Sequence, residues 1–143
     1  MTNNLSNVTL QPEAWAKPRG YANGVAAQGT VVSIAGQIGW NAQCQFESDD
    51  FAEQTRLAIQ NILAVLACAH GHPEHIVRMT WYVTNKAEYL AAGKAIGGIY
   101  RDLMKHSQTA ATIYPAMSAV QVVALMEDRA KVEIEVTAVI PSM

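Results

Sequence analysis

In Lys131-Val132-Glu133-Ile134-Glu135-Val136 two carboxylates alternate with three aliphatic side chains. On a strand this spacing puts both acids on one face and the valines and isoleucine on the other. Such a face is either simply solvated or, where it closes into a cleft, holds a carboxylate whose desolvation raises its pKa until it exchanges protons with a water. A second group is Lys17-Pro18-Arg19-Gly20-Tyr21-Ala22-Asn23-Gly24, which carries a guanidinium and a phenol. It reads as a turn-rich lead-in or as a binding loop. Trp40, just past Gly36, lines an aromatic pocket or caps the core.

Other chemistry has less support. His70-Gly71-His72-Pro73-Glu74-His75 gathers three imidazoles and a carboxylate in six residues, but ligands from elsewhere and a second shell are not visible, and an exposed connection after a helix suits the same residues. No metal site is expected. Ser33 and Ser118 lack His and Asp companions at a triad spacing. There is no GxxxxGK[ST] cradle, and the glycines of Gly36-Gln37-Ile38-Gly39 have the wrong spacing for a dinucleotide turn, so no nucleotide cofactor is expected.

Half of the 143 residues are apolar, 15% are charged, and ten Lys plus Arg stand against twelve Asp plus Glu. That balance fits a folded single domain, and neither a disordered chain nor a nucleic-acid binder. So few charges on so small a domain imply surface covered by further copies of the chain. The polar first ten residues lack a secretory pattern, and the longest apolar run, residues 59–69, is interrupted by Gln60 and Asn61. A cytoplasmic protein without membrane partners is expected. Cys44 and Cys68 form no CxxC pair; Cys68, among Val65, Leu66 and Ala69, is expected to be a buried thiol.

The elements that must position these groups follow from periodicity. Residues 30–35 (TVVSIA), closed by Gly36, read as a strand. After a polar loop, Asp49-Asp50 with Glu53 gives a capping spacing for a helix whose stripe is Phe51, Thr55, Ala58, Ile59, Ile62, Leu66 and Ala69. Gly71 is the expected C′ residue, with Pro73 barring continuation. Residues 76–84 read as a strand, and Asn85 with Glu88 opens a second helix through Tyr89, Leu90, Ile96, Ile99, Tyr100 and Leu103. Gly93, Gly97 and Gly98 fall inside that helix at a cost of about 1 kcal/mol each, so they require a packing reason or a break. Strands at 118–125 and 131–139 follow, joined by Met126-Glu127-Asp128-Arg129 as a hairpin turn. With one or two strands before residue 30, the order gives an α+β fold with helices on one face of a mixed sheet.

In order and at compatible spacing, Gly20-Tyr21, Ala35-Gly36-Gln37-Ile38, Ala52-Glu53-Gln54-Thr55-Arg56, Gln60-Asn61-Ile62, residues 76–83 (IVRMTWYV), Pro115-Ala116-Met117-Ser118-Ala119-Val120 and Val132-Glu133-Ile134-Glu135 resemble the Rid family, the YjgF-like reactive-intermediate deaminases. The resemblance covers residues 18–141 of a single domain, 1–143. It implies a chorismate-mutase-like α+β fold, with a mixed six-stranded sheet and two helices on one face, and a homotrimeric barrel with three clefts between subunits. It also implies hydrolysis of 2-imino and 2-enamino acids to keto acids and ammonia, without metal or organic cofactor.

In that resemblance Glu133 orients the attacking water, Tyr21 lines the cleft, and Gly36 and Ser118 border it. Met117 stands where the family's carboxylate-gripping arginine would be, and a thioether cannot pair with a carboxylate. The expected activity is therefore that of a divergent imine or enamine hydrolase whose substrate, aromatic or less acidic, is held by Met117, Trp40 and Tyr21, with Arg19 as a relocated cation. The alternative is a protein that binds a small molecule or a partner on the same trimer scaffold without turnover.

Overall fold

A computed structural model describes residues 7–142. In chain order the elements are β1 (Val8–Leu10), β2 (Gly24–Ala26), β3 (Thr30–Ile38), α1 (Phe51–Ala67), β4 (Ile76–Val83), α2 (Lys86–Ala91), α3 (Gly93–Leu103), β5 (Ala116–Gln121) and β6 (Val132–Ile140). The fold is the α+β arrangement expected, but the single six-stranded sheet is not formed: the six strands divide between an antiparallel β1-β2 pair and a four-stranded sheet of order β3-β6-β4-β5. Within that sheet β6 runs antiparallel to both β3 and β4, while β4 and β5 are parallel.

The expected hairpin at Met126–Arg129 is thereby overturned. β4 lies between β5 and β6, so residues 122–131 cross over the end of β4 instead of turning back in the plane of the sheet. β5 and β6 run antiparallel to each other but are not neighbours, and a tight turn joins only adjacent antiparallel strands, so the connection must pass over β4. The crossing is stitched to α1 by Gln54, which is fully buried. Its Nε2 donates to the carbonyls of Ser48 (3.1 Å) and Arg129 (3.0 Å), and its Oε1 accepts from the Lys131 N–H at 2.8 Å.

α1 begins as the spacing predicts: Asp50 is the N-cap, its carboxylate accepting from the Glu53 N–H at 3.0 Å. The helix buries Phe51, Thr55, Ala58, Ile59, Ile62 and Leu66 together with Gln54. At its other end the expectation for Gly71 needs correcting, because His70 takes the left-handed conformation (φ 60°). Gly71 is required for space instead, since a β-carbon there would lie 2.5 Å from Leu66 Cδ1. Cys68 is exposed, not buried, because it caps the helix one residue past its end and lies two residues beyond Leu66, the last buried residue of the stripe. The second helix is two helices, broken at Ala92, with Asn85 capping the first through the Glu88 N–H at 3.0 Å.

The core fills the space between the helices and one sheet face. Met79, Trp81 and Val83 of β4 and Val132, Ile134, Val136 and Ala138 of β6 point into it, against Ile59, Ile62 and Leu66 of α1 and Ile96 and Tyr100 of α3. Each fully buried aliphatic side chain of this size contributes about 1.5–3 kcal/mol. The opposite sheet face carries no helix: Val31 is 63% exposed, and Ser33, Ser118, Val120 and Glu135 are exposed with it.

Candidate functional site

Two regions hold the chemistry-bearing residues, one on each side of the sheet. On the helix side a cavity of about 550 Å³ opens between β4–β5, the helices α2 and α3, and the loop before β2. Met117 lies in its floor: it pairs with Met79 across the parallel ladder, so it shares the helix-facing side with that core residue. Arg19 and Tyr21 form the loop wall. Gly20 turns there with φ 78°, a left-handed conformation that glycine accepts without strain, and the Ala22 N–H then bonds the Pro115 carbonyl at 2.9 Å. That bond fixes the tyrosine beside the start of β5.

The rest of the cavity is aromatic and was only partly legible from the sequence. Trp81 meets Tyr89 edge-on at 6.3 Å, and Tyr100 stacks on Tyr114 at 5.4 Å with 12° between the rings; all four rings border the space. The Tyr100 hydroxyl donates to the Ile113 carbonyl. Burial, with Tyr114 adding to it, pushes that phenol far above its ordinary pKa, so it remains a hydrogen-bond donor. Trp81 is 4% exposed, and among the described residues its indole N–H is a buried donor without an acceptor. On α3 the wall is formed by Gly93, Ile96, Gly97, Tyr100 and Arg101, one helix face at i, i+3, i+4, i+7 and i+8. Two of the three glycines that looked costly in a helix interior, Gly93 and Gly97, belong to this wall, and together with Tyr89 they were the readable signal for it.

On the other side of the sheet, Glu133 and Glu135 alternate with the buried Val132, Ile134 and Val136, as the spacing predicts. The β3 ladder slips between Ile34 and Gln37, and Gly36, inside that bulge, lies against the Glu133 side chain. Ser118, paired with Thr80, belongs to this face, as does Tyr82, whose hydroxyl donates to Glu135 Oε1 at 3.2 Å. The structure thus groups Arg19, Tyr21 and Met117 in the helix-side cavity and Glu133, Gly36 and Ser118 on the bare face. It brings no member of one set to the other within a single chain. Trp40 joins neither. Its ring packs on Phe46 at 5.8 Å, and Asn61 Nδ2 donates to the Trp40 carbonyl at 2.9 Å, pinning the loop to α1.

The histidine segment borders a third region, a cavity of about 1040 Å³ beneath β1. The Glu74 carboxylate accepts from the Ser107 N–H at 3.1 Å and from the Ser107 hydroxyl, and His106 Nδ1 lies 3.4 Å from it. His75 Nδ1 accepts from the His72 N–H at 3.0 Å. These bonds tie the connection after α1 to the loop after α3. Among the described residues no three His, Cys, Asp or Glu side chains converge on one point, and no helix is long and apolar enough to cross a membrane.

Comparison with known proteins bears on this arrangement. The sequence model of the family described as Endoribonuclease L-PSP matches residues 12–140. A curated Escherichia coli K12 protein, TdcF, provisionally named a reactive intermediate deaminase, is 31% identical over 119 residues, covering 83% of this chain and 85% of that protein. Among solved structures, YyfB of Yersinia pestis, described as a Rid-family protein of unknown function, is 28% identical with a TM-score of 0.78, over 95% of this chain and 100% of that one. The crystal structure of E. coli TdcF with bound serine is 28% identical with a TM-score of 0.64, over 92% and 97% of the two chains. Sequence and fold agree along nearly the whole length, and the chain belongs to the Rid family, the YjgF-like proteins also described as endoribonuclease L-PSP.

Proposed function

We propose that the protein is a cofactor-independent imine or enamine hydrolase of the reactive-intermediate deaminase kind, working as a homotrimer on an aromatic substrate. Water adds to the C=N carbon, Glu133 takes the water's proton and returns it to nitrogen, and the carbinolamine collapses to a carbonyl compound and ammonia. An enamine enters the same route after protonation at carbon. The name of the TdcF relative supports deamination, and the serine bound to its crystal structure supports a small-molecule site. The aromatic lining of the helix-side cavity supports a flat apolar substrate, since each ring offers a large contact surface.

The observation that carries the reading is the placement of Glu133 on a sheet face that no helix covers, with Gly36 leaving room for its carboxyl group. A cleft needs two walls, and this face has one. We take a neighbouring copy to supply the other, so that the aromatic cavity at the β5 edge of one copy adjoins the Glu133 face of the next and three copies close the barrel expected from the resemblance. Two exposed, unpaired thiols, Cys44 and Cys68, suit action in the reducing cytoplasm. The acidic balance of the chain favours a small molecule over RNA as the substrate.

The test generates imino acids in place with an amino-acid oxidase and follows ammonia and keto-acid release with wild type, Glu133→Gln and Met117→Arg. Faster release with aromatic substrates, lost in Glu133→Gln, is expected, with a native mass spectrum at the trimer. Met117→Arg is expected to shift preference toward small imino acids. An Arg19→Ala variant with unchanged kinetics would remove Arg19 from the site. Met117 itself favours a second reading, a binding protein that has lost turnover. No release from wild type or Met117→Arg, with small aromatics still bound, would establish that one.

A further inference from the structure

Arg101 closes the last turn of α3, where a cation ordinarily points at the free carbonyls of the helix end. Here the guanidinium lies the other way. Its Nη1 is 3.1 Å from the point where a β-carbon on Gly97, one turn earlier, would sit, so it extends along bare helix backbone toward the cavity wall. Among the described residues neither Arg101 nor Arg19 is in an ion pair. Two positive charges without acidic partners therefore border a cavity lined by Trp81, Tyr89, Tyr100 and Tyr114.

Resting on the reading of this cavity as the substrate site, we propose that Arg101 is its anion-holding residue, and that the ligand is an aromatic acid whose ring lies among the tyrosines and Trp81 and whose carboxylate meets the guanidinium on α3. The cation absent from β5 at Met117 is then supplied from the helix. A planar fork at the rim of an aromatic cavity holds a carboxylate with two parallel hydrogen bonds, which an ammonium or a thioether cannot do. Gly97 makes the arrangement possible. An alanine there would favour the helix, yet the guanidinium would have to give way by a few tenths of an ångström.

The experiment measures binding by calorimetry with phenylacetate and phenylacetamide, which match in shape and differ in charge. Wild type is expected to prefer the acid. Arg101→Gln should weaken phenylacetate about tenfold to a hundredfold, the range a charge-assisted hydrogen bond carries, and leave phenylacetamide unchanged. Gly97→Ala should melt no lower than wild type and weaken the same preference. An undiminished preference for phenylacetate in Arg101→Gln, or equal binding of both probes by wild type, would overturn the proposal while leaving the hydrolase reading intact. Loss of turnover with the charge preference retained would do the reverse. Binding of neither probe would likewise overturn the proposal, while the hydrolase reading stands or falls on turnover.

Discussion

Gly36 lies against the carboxyl group of Glu133: a β-carbon at position 36 would fall 2.7 Å from the carboxyl carbon and equally close to Oε2. Atoms do not approach so closely without displacement, and here the flexible glutamate side chain yields before the sheet does. Gly36→Ala is therefore expected to keep the fold while swinging Glu133 out of place. Hydrolysis should fall about a hundredfold or more, as in Glu133→Gln, because a misplaced general base loses its contribution. Steady-state kinetics beside a melting curve separates the two effects. Wild-type turnover in Gly36→Ala would mean that the position of this carboxylate does not govern the reaction.

Gln54 illustrates a different dependence, of fold on a buried polar group. Its amide satisfies the Lys131 N–H and the carbonyls of Ser48 and Arg129, all from within a fully buried site on α1. Gln54→Leu keeps the volume and orphans those three groups. A loss of about 3 kcal/mol is expected, since each buried unpaired backbone group costs on the order of 1–3 kcal/mol and water reaches some of them after local opening. Urea unfolding measures it. A change below about 0.5 kcal/mol, the size of an ordinary surface substitution, would show that the crossing between β5 and β6 does not depend on this amide.

Helix α1 and the strands β3, β4 and β6 were legible because their signals are local: a cap, a 3.6-residue stripe, a two-residue alternation. The glycines left open whether the second helix breaks, as it does at Ala92, and the crossing of residues 122–131 was not legible because it depends on which strand lies next to which. Met126–Arg129 looked like a turn in composition, and only the insertion of β4 between β5 and β6 makes it part of a crossing. The candidate site divides in the same way. Alternation placed Glu133 correctly on its strand face, whereas its separation from Met117 by the thickness of the sheet follows from the ladder register that pairs Met117 with Met79. Arg101 gave no sequence signal beyond its distance of four residues from Gly97.

Of the three glycines in α3, Gly98 does not border the cavity, and a β-carbon there would meet nothing within 4 Å. Gly98→Ala should then stabilise the protein by about 0.5–1 kcal/mol, the difference between the two residues in a helix interior. Differential scanning calorimetry would show a melting temperature raised by about 2–4 °C. Ligand binding should be unaffected, in contrast to Gly97→Ala. A lowered melting temperature would reveal that another copy of the chain packs against Gly98.

The connection after α1 sets the response to acid. Burial alone pushes the Glu74 carboxyl upward, but the bonds from the Ser107 hydroxyl, from its own N–H and from the Ser107 N–H, with His106 nearby, outweigh it and hold the group below its ordinary value of 4.5. Burial, the leading cause, holds His75 below its ordinary 6.5, with His72 and His106 adding to it against the opposing charge of Glu74. Both groups bind protons more readily in the unfolded chain, so both favour unfolding as the solution becomes acidic. The stability tied to His75 is complete above pH 6.5 and is lost as the pH falls through its folded value; that tied to Glu74 is complete above 4.5 and is lost below it. Stability measured by urea unfolding should therefore decline in two steps on the acid side of neutrality. His75→Gln should flatten the first step and Glu74→Gln the second, and a profile unchanged in both variants would show that the acid sensitivity lies elsewhere in the fold.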